Sequence, residues 1–270
     1  MQVSDDFLVP GTIRSAVIVG AGNVAWHLGK ALKAKNISIL QIVGRTGNQT
    51  MKLAKSLKAE YTPDVTKINV DADLYIIAVS DDAIADIAQK LCLESQLVVH
   101  TAGSIPMSVF HGQFKNYGVF YPLQTFTRSR EIHFHEVPLC IEANNPDNLD
   151  KLFRLAELIS YKVLSLNSEK RATLHLAAVF ACNFTNHMYS VAEQILKKND
   201  MDFSMLHPLI IETAMKAASM RPLDAQTGPA VRNNRSLMDK HLIMLGKDPA
   251  LREIYLHLSE NILKYLNDEL

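Results

Sequence analysis

Residues 15–25 read Ser-Ala-Val-Ile-Val-Gly-Ala-Gly-Asn-Val-Ala, an apolar run that breaks into a glycine turn and continues as a helical pattern. The apolar run is typical of a buried parallel strand. Gly20 permits a tight turn after it, Gly22 lets the backbone approach a pyrophosphate closely, and Ala25 allows the helix to pack against the strand. The stretch therefore predicts a dinucleotide site contacted by Gly20, Gly22, Asn23 and Val24.

The helix predicted after this turn, which carries Trp26, Leu28 and Leu32, supports that interpretation. Its free N–H groups and the positive end of its dipole would point at the phosphate. A Gly-x-Gly-x-x-Ala pattern by itself also occurs at strand ends for structural reasons. The order of strand, turn and helix is what favours a nucleotide site here.

The composition excludes several classes of partner and location. The chain has 270 residues, enough for two domains, and its 28 basic and 28 acidic residues cancel. That balance argues against nucleic acid or a membrane surface as a partner. Residues 1–6 lack the basic start and the apolar stretch of a secretory signal, and no later apolar run is long enough to span a bilayer. We therefore expect a cytoplasmic protein.

The cysteines argue against a disulfide framework and against a metal site. Cys92, Cys140 and Cys182 are odd in number, far apart and without the spacing of metal ligands. We expect reduced, mostly buried thiols and no metal.

Up to residue 166, short β-type runs alternate with helical patterns, which is typical of a doubly wound parallel sheet. Helices are predicted at residues 48–57 and from Asp82 onwards. The sequence therefore predicts an α/β nucleotide-binding domain over residues 1–166. Its predicted strands are residues 16–19, 39–43, 74–79, 97–100, 118–121, 139–142 and 162–166.

From residue 167 the apolar residues recur at spacings of three and four, which predicts an all-helical domain over residues 167–270. Its first helix, residues 169–198, is long and largely apolar, so it needs other helices to cover its faces. Two copies packed through these helices would meet that need, and we expect a homodimer. The later helices are predicted at residues 208–220, from Asn234 to near Gly246, and from Asp248-Pro249 onwards.

The end of the second predicted strand distinguishes between the two dinucleotides. In the NAD form of this fold an acidic residue there bonds the ribose hydroxyls, and this chain has none. It has Arg45 and Thr46 instead, and a guanidinium suits the 2′-phosphate of NADP in charge and geometry. The alternative is that Arg45 is a solvated loop residue and that Thr46 caps the second helix. We expect NADP as the cofactor.

Three further segments follow predicted strands at the edge where ligands gather in open parallel sheets. Ser80 could contact the cofactor, although Ser80-Asp81-Asp82 is also a typical helix cap. His100 could touch the cofactor or the substrate, or it could be bonded to a neighbouring carbonyl in a turn. The loop from Tyr121 to Phe126 could contact the substrate.

The helical half offers two groups of polar side chains. On the long helix, five residues fall within an arc of about 100°, because each residue adds about 100°: His175, Val179, Cys182, Asn183 and Asn186. A polar face on an apolar helix meets a ligand, solvent or matched polar partners, since burying an unpaired amide costs about 1–3 kcal/mol. The linker from Asp224 to Asn234 holds Thr227, a hydrogen-bond donor, and Arg232, which could bind a carboxylate, or it is simply a loop.

Several of these stretches carry a family resemblance: Gly20-x-Gly22, Arg45-Thr46, His100-x-x-Gly103, residues 121–126, the helix from His175 to Asn183, and Thr227-Gly228-Pro229-x-x-Arg232. Together they resemble the NADP oxidoreductases that join a Rossmann-like first domain to a C-terminal domain of unknown function 2520. The chain is also similar, more remotely, to pyrroline-5-carboxylate reductase and to the helical domain of 6-phosphogluconate dehydrogenases. The resemblance implies this fold, NADP and dimerisation, but no substrate.

We therefore expect an NADPH-dependent reductase of a small, carboxylated compound with a C=O or C=N bond. Asn183 or Thr227 would polarise the acceptor, His175 would donate the proton, and Arg232 would hold the carboxylate. Histidine suits proton donation because its reference pKa, about 6.5, lets it exchange protons near neutral pH. The alternative is an NADP-binding sensor without turnover, which the lack of an unambiguous acid such as the dehydrogenase lysine favours.

Overall fold

The computed structural model describes residues 12–45 and 47–268, with side chains as far as residue 265. Within this part of the chain one sheet is formed, in the order β3-β2-β1-β4-β5-β6-β7-β8. Its strands are β1 Ser15–Val19, β2 Ser38–Val43, β3 Glu60–Thr62, β4 Leu74–Ile77, β5 Leu97–His100, β6 Asn116–Pro122, β7 Leu139–Ala143 and β8 Val163–Ser165.

The predicted doubly wound sheet is confirmed for the strands from β3 through β6, which all run parallel. The exception is β7, which is antiparallel to β6, with Gly118 opposite Ala143, whereas β8 is again parallel to β7. The chain returns from β6 to β7 without an α-helix. A parallel return needs a long crossover, so this connection produces an antiparallel pair. Apolar alternation does not encode strand direction.

The predicted helices are present, with one interruption. The long helix predicted at residues 169–198 is divided by a π-helical segment, Val179–Phe184. The α-helices are α1 Asn23–Ala34, α2 Gly47–Leu57, α3 Ile84–Lys90, α4 Pro146–Ile159, α5 Ser168–Ala178, α6 Thr185–Lys197, α7 His207–Ser219, α8 Arg235–Met244 and α9 Pro249–Asp268.

The sequence analysis did not predict strand β3 or helix α4. The three residues of β3 are too few to show alternation. The start of α4 was readable, because the side chain of Asn145 accepts a hydrogen bond from the Asn148 N–H and Pro146 occupies the first turn.

The glycine turn is held by a strand that is buried on both faces. Ala16 and Ile18 of β1 belong to one apolar cluster, and Val17 and Val19 belong to the cluster on the opposite face. Burial on both faces explains the continuous apolar run in the sequence, and β1 lies inside the sheet, between β2 and β4.

The chain divides into two compact units, of which the first ends at Cys182 and the second begins at Asn183. The predicted domain boundary lies earlier, after residue 166. The first unit includes α5 because that helix bonds to the sheet: Arg171 pairs with Glu142 of β7, and His175 bonds to Tyr121 of β6.

The cysteines depart from the prediction of mostly buried thiols. Cys140 on β7 is buried, but Cys92 and Cys182 are exposed, since they lie in a loop and in the π-helical segment. Among the helices that the structure describes, none combines the length and apolar character needed to cross a bilayer.

Candidate functional site

A cavity of about 1010 Å³ lies at the carboxyl edge of the parallel strands, within the first unit. Residues that follow β1, β2, β4, β5 and β6 line it, because parallel strands present their carboxyl ends at one edge. The structure brings together here seven of the predicted site residues: Gly20, Gly22, Asn23, Val24, Arg45, Ser80 and His175.

The two glycines of the turn differ in what surrounds them. Gly20 has a φ of +120°, and a Cβ built on it would lie 2.1 Å from the carbonyl oxygen of Ala78 on the neighbouring chain segment. Gly22 faces open space, with nothing within 4 Å of a Cβ. It is also the N-cap of α1 and provides no side-chain cap. The first N–H groups of α1 therefore remain available to an anion such as a pyrophosphate.

Arg45 is exposed beyond the end of β2 and lines the cavity, together with Gln49 and Thr50 of α2. Thr46, the other residue predicted at this end, lies outside the described residues, and so does its alternative role as a cap. The end of β2 lies beside the glycine turn, since the Gly20 N–H donates to the carbonyl oxygen of Val43, and the adenosine half of a dinucleotide would lie here. This position fits a contact with a 2′-phosphate.

The dinucleotide preference gives a direct test of Arg45. Arg45→Ala is expected to raise the Kd of NADPH about 10-fold or more and to leave that of NADH nearly unchanged, because the 2′-phosphate is the group in which they differ. Titration calorimetry with both dinucleotides measures the difference. Lys52→Ala, which removes an exposed cation of α2, is the control. Equal losses for both dinucleotides would contradict the assignment.

At the other end of the cavity His175 forms a pair with Tyr121. The Tyr121 hydroxyl and the His175 Nδ1 are 3.1 Å apart. The imidazole also lies directly on the backbone of Gly103, where a Cβ would come within 2.7 Å of its Cγ. Burial raises the pKa of Tyr121 to about 12, so its phenol stays protonated. The close contact with His175 leaves no room for a side chain at Gly103, and the sequence pattern did not indicate this constraint.

A buried ion pair fixes the helix that carries His175. Arg171 lies one turn earlier on α5, is 1% exposed, and pairs through Nη1 with Glu142 of β7. Its Nη2 donates to the carbonyl oxygen of Ile105 at 2.5 Å, and Glu142 accepts from the Ser168 hydroxyl at 2.8 Å. Charged residues on a helix usually lie on a solvated face, so no local pattern in the sequence indicates this pair.

His100 does not reach the surface of the cavity, contrary to the expectation that it touches the cofactor or the substrate. It is fully buried, and its Nδ1 accepts a hydrogen bond from the Ala102 N–H at 3.2 Å. Its ring meets the edge of Phe110 at a centroid distance of 5.4 Å. The side chain lies in the core behind Thr101, Ala102 and Gly103, which line the cavity in its place.

Burial, and next the charge of Arg171, lower the pKa of His100 to about 3. Above the unfolded-state pKa, about 6.5, both states are neutral; below it only the unfolded state gains the proton, so stability falls as the pH falls towards 3. We expect this histidine to contribute about 1.4 kcal/mol per pH unit across that window. In His100→Asn the free energy of unfolding, measured with urea, should depend less steeply on pH across this window than it does in the wild type. His111→Asn, at an exposed histidine, is the control, and an unchanged slope in His100→Asn would contradict the prediction.

Ser80 lines the cavity at the N-cap of a short 3-10 turn, Asp81–Ala83, but its side chain makes no capping hydrogen bond. Its predicted role as a contact stays a prediction. The neighbouring Asp81 also lines the cavity and accepts a hydrogen bond from the Ser104 hydroxyl. Asp81 therefore places a carboxylate beside Ser80 in the lining of the cavity.

The remaining predicted residues belong to the second unit. Asn183 is exposed within the π-helical segment, and Thr227 and Arg232 are exposed on the loop between α7 and α8. The arc predicted for His175 and Asn183 assumed a regular α-helix. A π-helical turn holds more residues than an α-turn, so the angle does not carry across it. The roles of these three residues stay predictions.

Both the sequence and the fold of this chain match known proteins. Residues 137–262 match the family model of a Domain of unknown function (DUF2520). A crystal structure from Bacteroides fragilis, named a "putative NADP oxidoreductase", is 44% identical, with a TM-score of 0.90. The match covers 94% of this chain and 99% of that chain. The chain belongs to this family of DUF2520 NADP oxidoreductases.

The oxidoreductase shares its fold with more distant enzymes. A 1-pyrroline-5-carboxylate reductase from Streptococcus pyogenes is 14% identical, with a TM-score of 0.64 over 94% of this chain and 99% of that chain. An imine reductase from Myxococcus stipitatus, in complex with NADP+, is 15% identical, with a TM-score of 0.60 over 94% of this chain and 93% of that chain. No curated protein sequence matches the oxidoreductase.

NADP is the cofactor of the oxidoreductase, and the residues present fit it. The cavity offers a turn without side chains at Gly20 and Gly22, an uncapped helix start, and the cation of Arg45. The glycine turn and the helix start suit a pyrophosphate, and the cation of Arg45 suits a 2′-phosphate. When bound, the cofactor supplies a hydride.

Proposed function

We propose that the oxidoreductase uses NADPH to reduce the C=O or C=N bond of a small, carboxylated compound. The observation that carries this proposal is the position of His175, which lines the cavity and is held by Tyr121 and Gly103. Reduction of such a bond needs a proton beside the hydride. His175 would give this proton.

Tyr121 supports this role by holding the imidazole of His175 in place. To give a proton, His175 must act as the imidazolium, which carries a hydrogen on each ring nitrogen and becomes the neutral ring when Nε2 gives its proton away. The Tyr121 oxygen, 3.1 Å from Nδ1, would accept from the Nδ1–H before and after this transfer. This arrangement leaves the Nε2–H free to donate to the acceptor atom of a substrate, and Tyr121 is a positioning residue.

For three residues of the second unit the proposal keeps the roles expected from the sequence. Asn183 or Thr227 would polarise the acceptor, and Arg232 would bind the carboxylate bidentately. Membership of an oxidoreductase family argues for turnover and against a sensor that only binds NADP.

A panel of keto acids and imino acids tests the proposed reaction. The protein is incubated with NADPH and each compound, absorbance at the nicotinamide band is followed, and products are identified by mass spectrometry. We expect oxidation of NADPH with at least one carboxylated acceptor, and little with the matching esters, which lack the charge. With Arg232→Ala, KM should rise more than kcat falls. Oxidation by no member of the panel, or equal rates for acids and esters, would contradict the proposed substrate class.

We also propose that the oxidoreductase is a homodimer through its helical unit. Between residues 183 and 265 only Ala230 and Ser259 are buried among the described side chains, so this unit has almost no core of its own. Its exposed apolar side chains include Leu209, Ile211 and Met215 of α7, each about 60% exposed. Exposed apolar area of this extent is typical of an interface, and a second copy of the same helices would cover it.

Light scattering with variants tests the dimer. Leu209→Glu should shift the mass from two chains towards one, because it places a charge on the apolar face. Leu158→Glu is the control, since Leu158 is an exposed leucine on α4 of the first unit. A monomeric wild type, or dissociation by both substitutions alike, would contradict the interface.

A further inference from the structure

The segment after β6 is tied to the glycine turn. The Asn23 Nδ2 donates to the carbonyl oxygen of Phe126 at 2.8 Å, and the His27 Nε2 lies 3.1 Å from the carbonyl oxygen of Thr127. The imidazole of His27 also stacks on Phe126, with a centroid distance of 5.2 Å. These contacts fix the position of the next residue, Arg128, beside the start of α1.

Arg128 reaches the wall of the cofactor cavity. Its Nη2 donates to the carbonyl oxygen of Ala21, between the two glycines of the turn, and lies 3.3 Å from the Oε1 of Gln49. Both Ala21 and Gln49 line the cavity. The guanidinium lies over the ring of Trp26, 5.5 Å from its centroid, which holds the side chain in place.

The charge of Arg128 has no counter-ion in the described part of the chain. The ion pairs found among residues 12–45 and 47–268 involve other residues, and the two contacts of Nη2 are to neutral oxygens. Its Nε is buried and has no hydrogen-bond partner among these residues. Partial burial of a cation without an opposite charge is unfavourable, so an anion bound beside it would be stabilised.

We propose that Arg128 is a phosphate-binding residue of the cofactor site. The anion is a phosphate group of the dinucleotide, either the pyrophosphate at the glycine turn or the 2′-phosphate towards Gln49. Arg128 would then be a second cation at this end of the cavity, contributed by a segment more than 80 positions from Arg45 in the chain. The inference rests on the use of NADP by the family and is independent of the proposed substrate and proton donor.

Binding measurements test this inference. Arg128→Ala and Arg128→Met are titrated with NADPH and with NADH by calorimetry. The Met variant keeps an apolar stem over Trp26, so it preserves packing if the Ala variant does not fold. We expect NADPH to bind about 10–100-fold more weakly to the folded variant, because a charge-assisted contact is lost. Arg130→Ala, an exposed arginine on the same segment, is the control and should bind as the wild type does.

The two dinucleotides distinguish the two phosphates. A loss confined to NADPH assigns Arg128 to the 2′-phosphate, whereas equal losses for NADPH and NADH assign it to the pyrophosphate. An unchanged affinity for both dinucleotides in Arg128→Met, or the same loss in Arg130→Ala, would overturn the proposal. Catalytic failure of the enzyme with every candidate acceptor would not affect this result.

Discussion

His175→Gln is expected to lower kcat about 100- to 10,000-fold, the usual contribution of a positioned general acid, and to leave NADPH affinity within a few-fold of wild type. The amide can still bond to the Tyr121 hydroxyl, but it cannot transfer a proton. Steady-state kinetics with the acceptor found in the panel measures the rate, and calorimetry measures NADPH binding. A wild-type kcat in His175→Gln would show that the proton comes from another group.

Tyr121→Phe separates positioning from proton donation. It removes one hydrogen bond to Nδ1, so kcat should fall by about 10-fold at most, well short of the loss in His175→Gln. The pH profile gives a second readout. If the Tyr121 oxygen accepts from the Nδ1–H of the imidazolium, the profile of Tyr121→Phe should change shape, because the charged ring then loses that acceptor. A loss as large as that of His175→Gln would identify Tyr121 as the donor instead.

Gly20→Ala is expected to destabilise the protein by about 2–6 kcal/mol, because the new side chain meets both backbone strain and a steric clash. The residue has a φ of +120°, and its Cβ would lie 2.1 Å from a carbonyl oxygen of the adjacent segment. A backbone atom in the centre of a sheet cannot move aside as a flexible side chain can. Urea unfolding of the free protein measures the loss.

Gly22→Ala is the matched variant for the other glycine of the turn. It has an ordinary φ of −74° and open space around its Cβ, so stability should change by about 1 kcal/mol or less. NADPH affinity should nevertheless fall about 10-fold or more, since the methyl group occupies the space that a pyrophosphate approaches. Equal stability losses in the two variants, or wild-type affinity in Gly22→Ala, would contradict this division of roles.

The strand, turn and helix around Gly20, and the Arg45 beyond β2, could be predicted because their signals are local. A strand buried on both faces has a continuous run of apolar residues, and a helix has apolar residues at spacings of three and four. The helical character of the second half follows in the same way. Strand direction at β7 and the π-helical segment at Val179–Phe184 could not be predicted, because neither leaves a periodic signal.

The sequence by itself determined the strand, glycine turn and helix that suit a dinucleotide, because they are built from residues adjacent in the chain. Only the tertiary structure decided which distant side chains join them. Tyr121 meets His175 across 54 positions, and Arg128 meets Ala21 across 107. The tertiary structure also buries His100 in the core, away from the lining of the cavity. Such pairings depend on how strands and loops are stacked at one edge of the sheet, and no local pattern records that stacking.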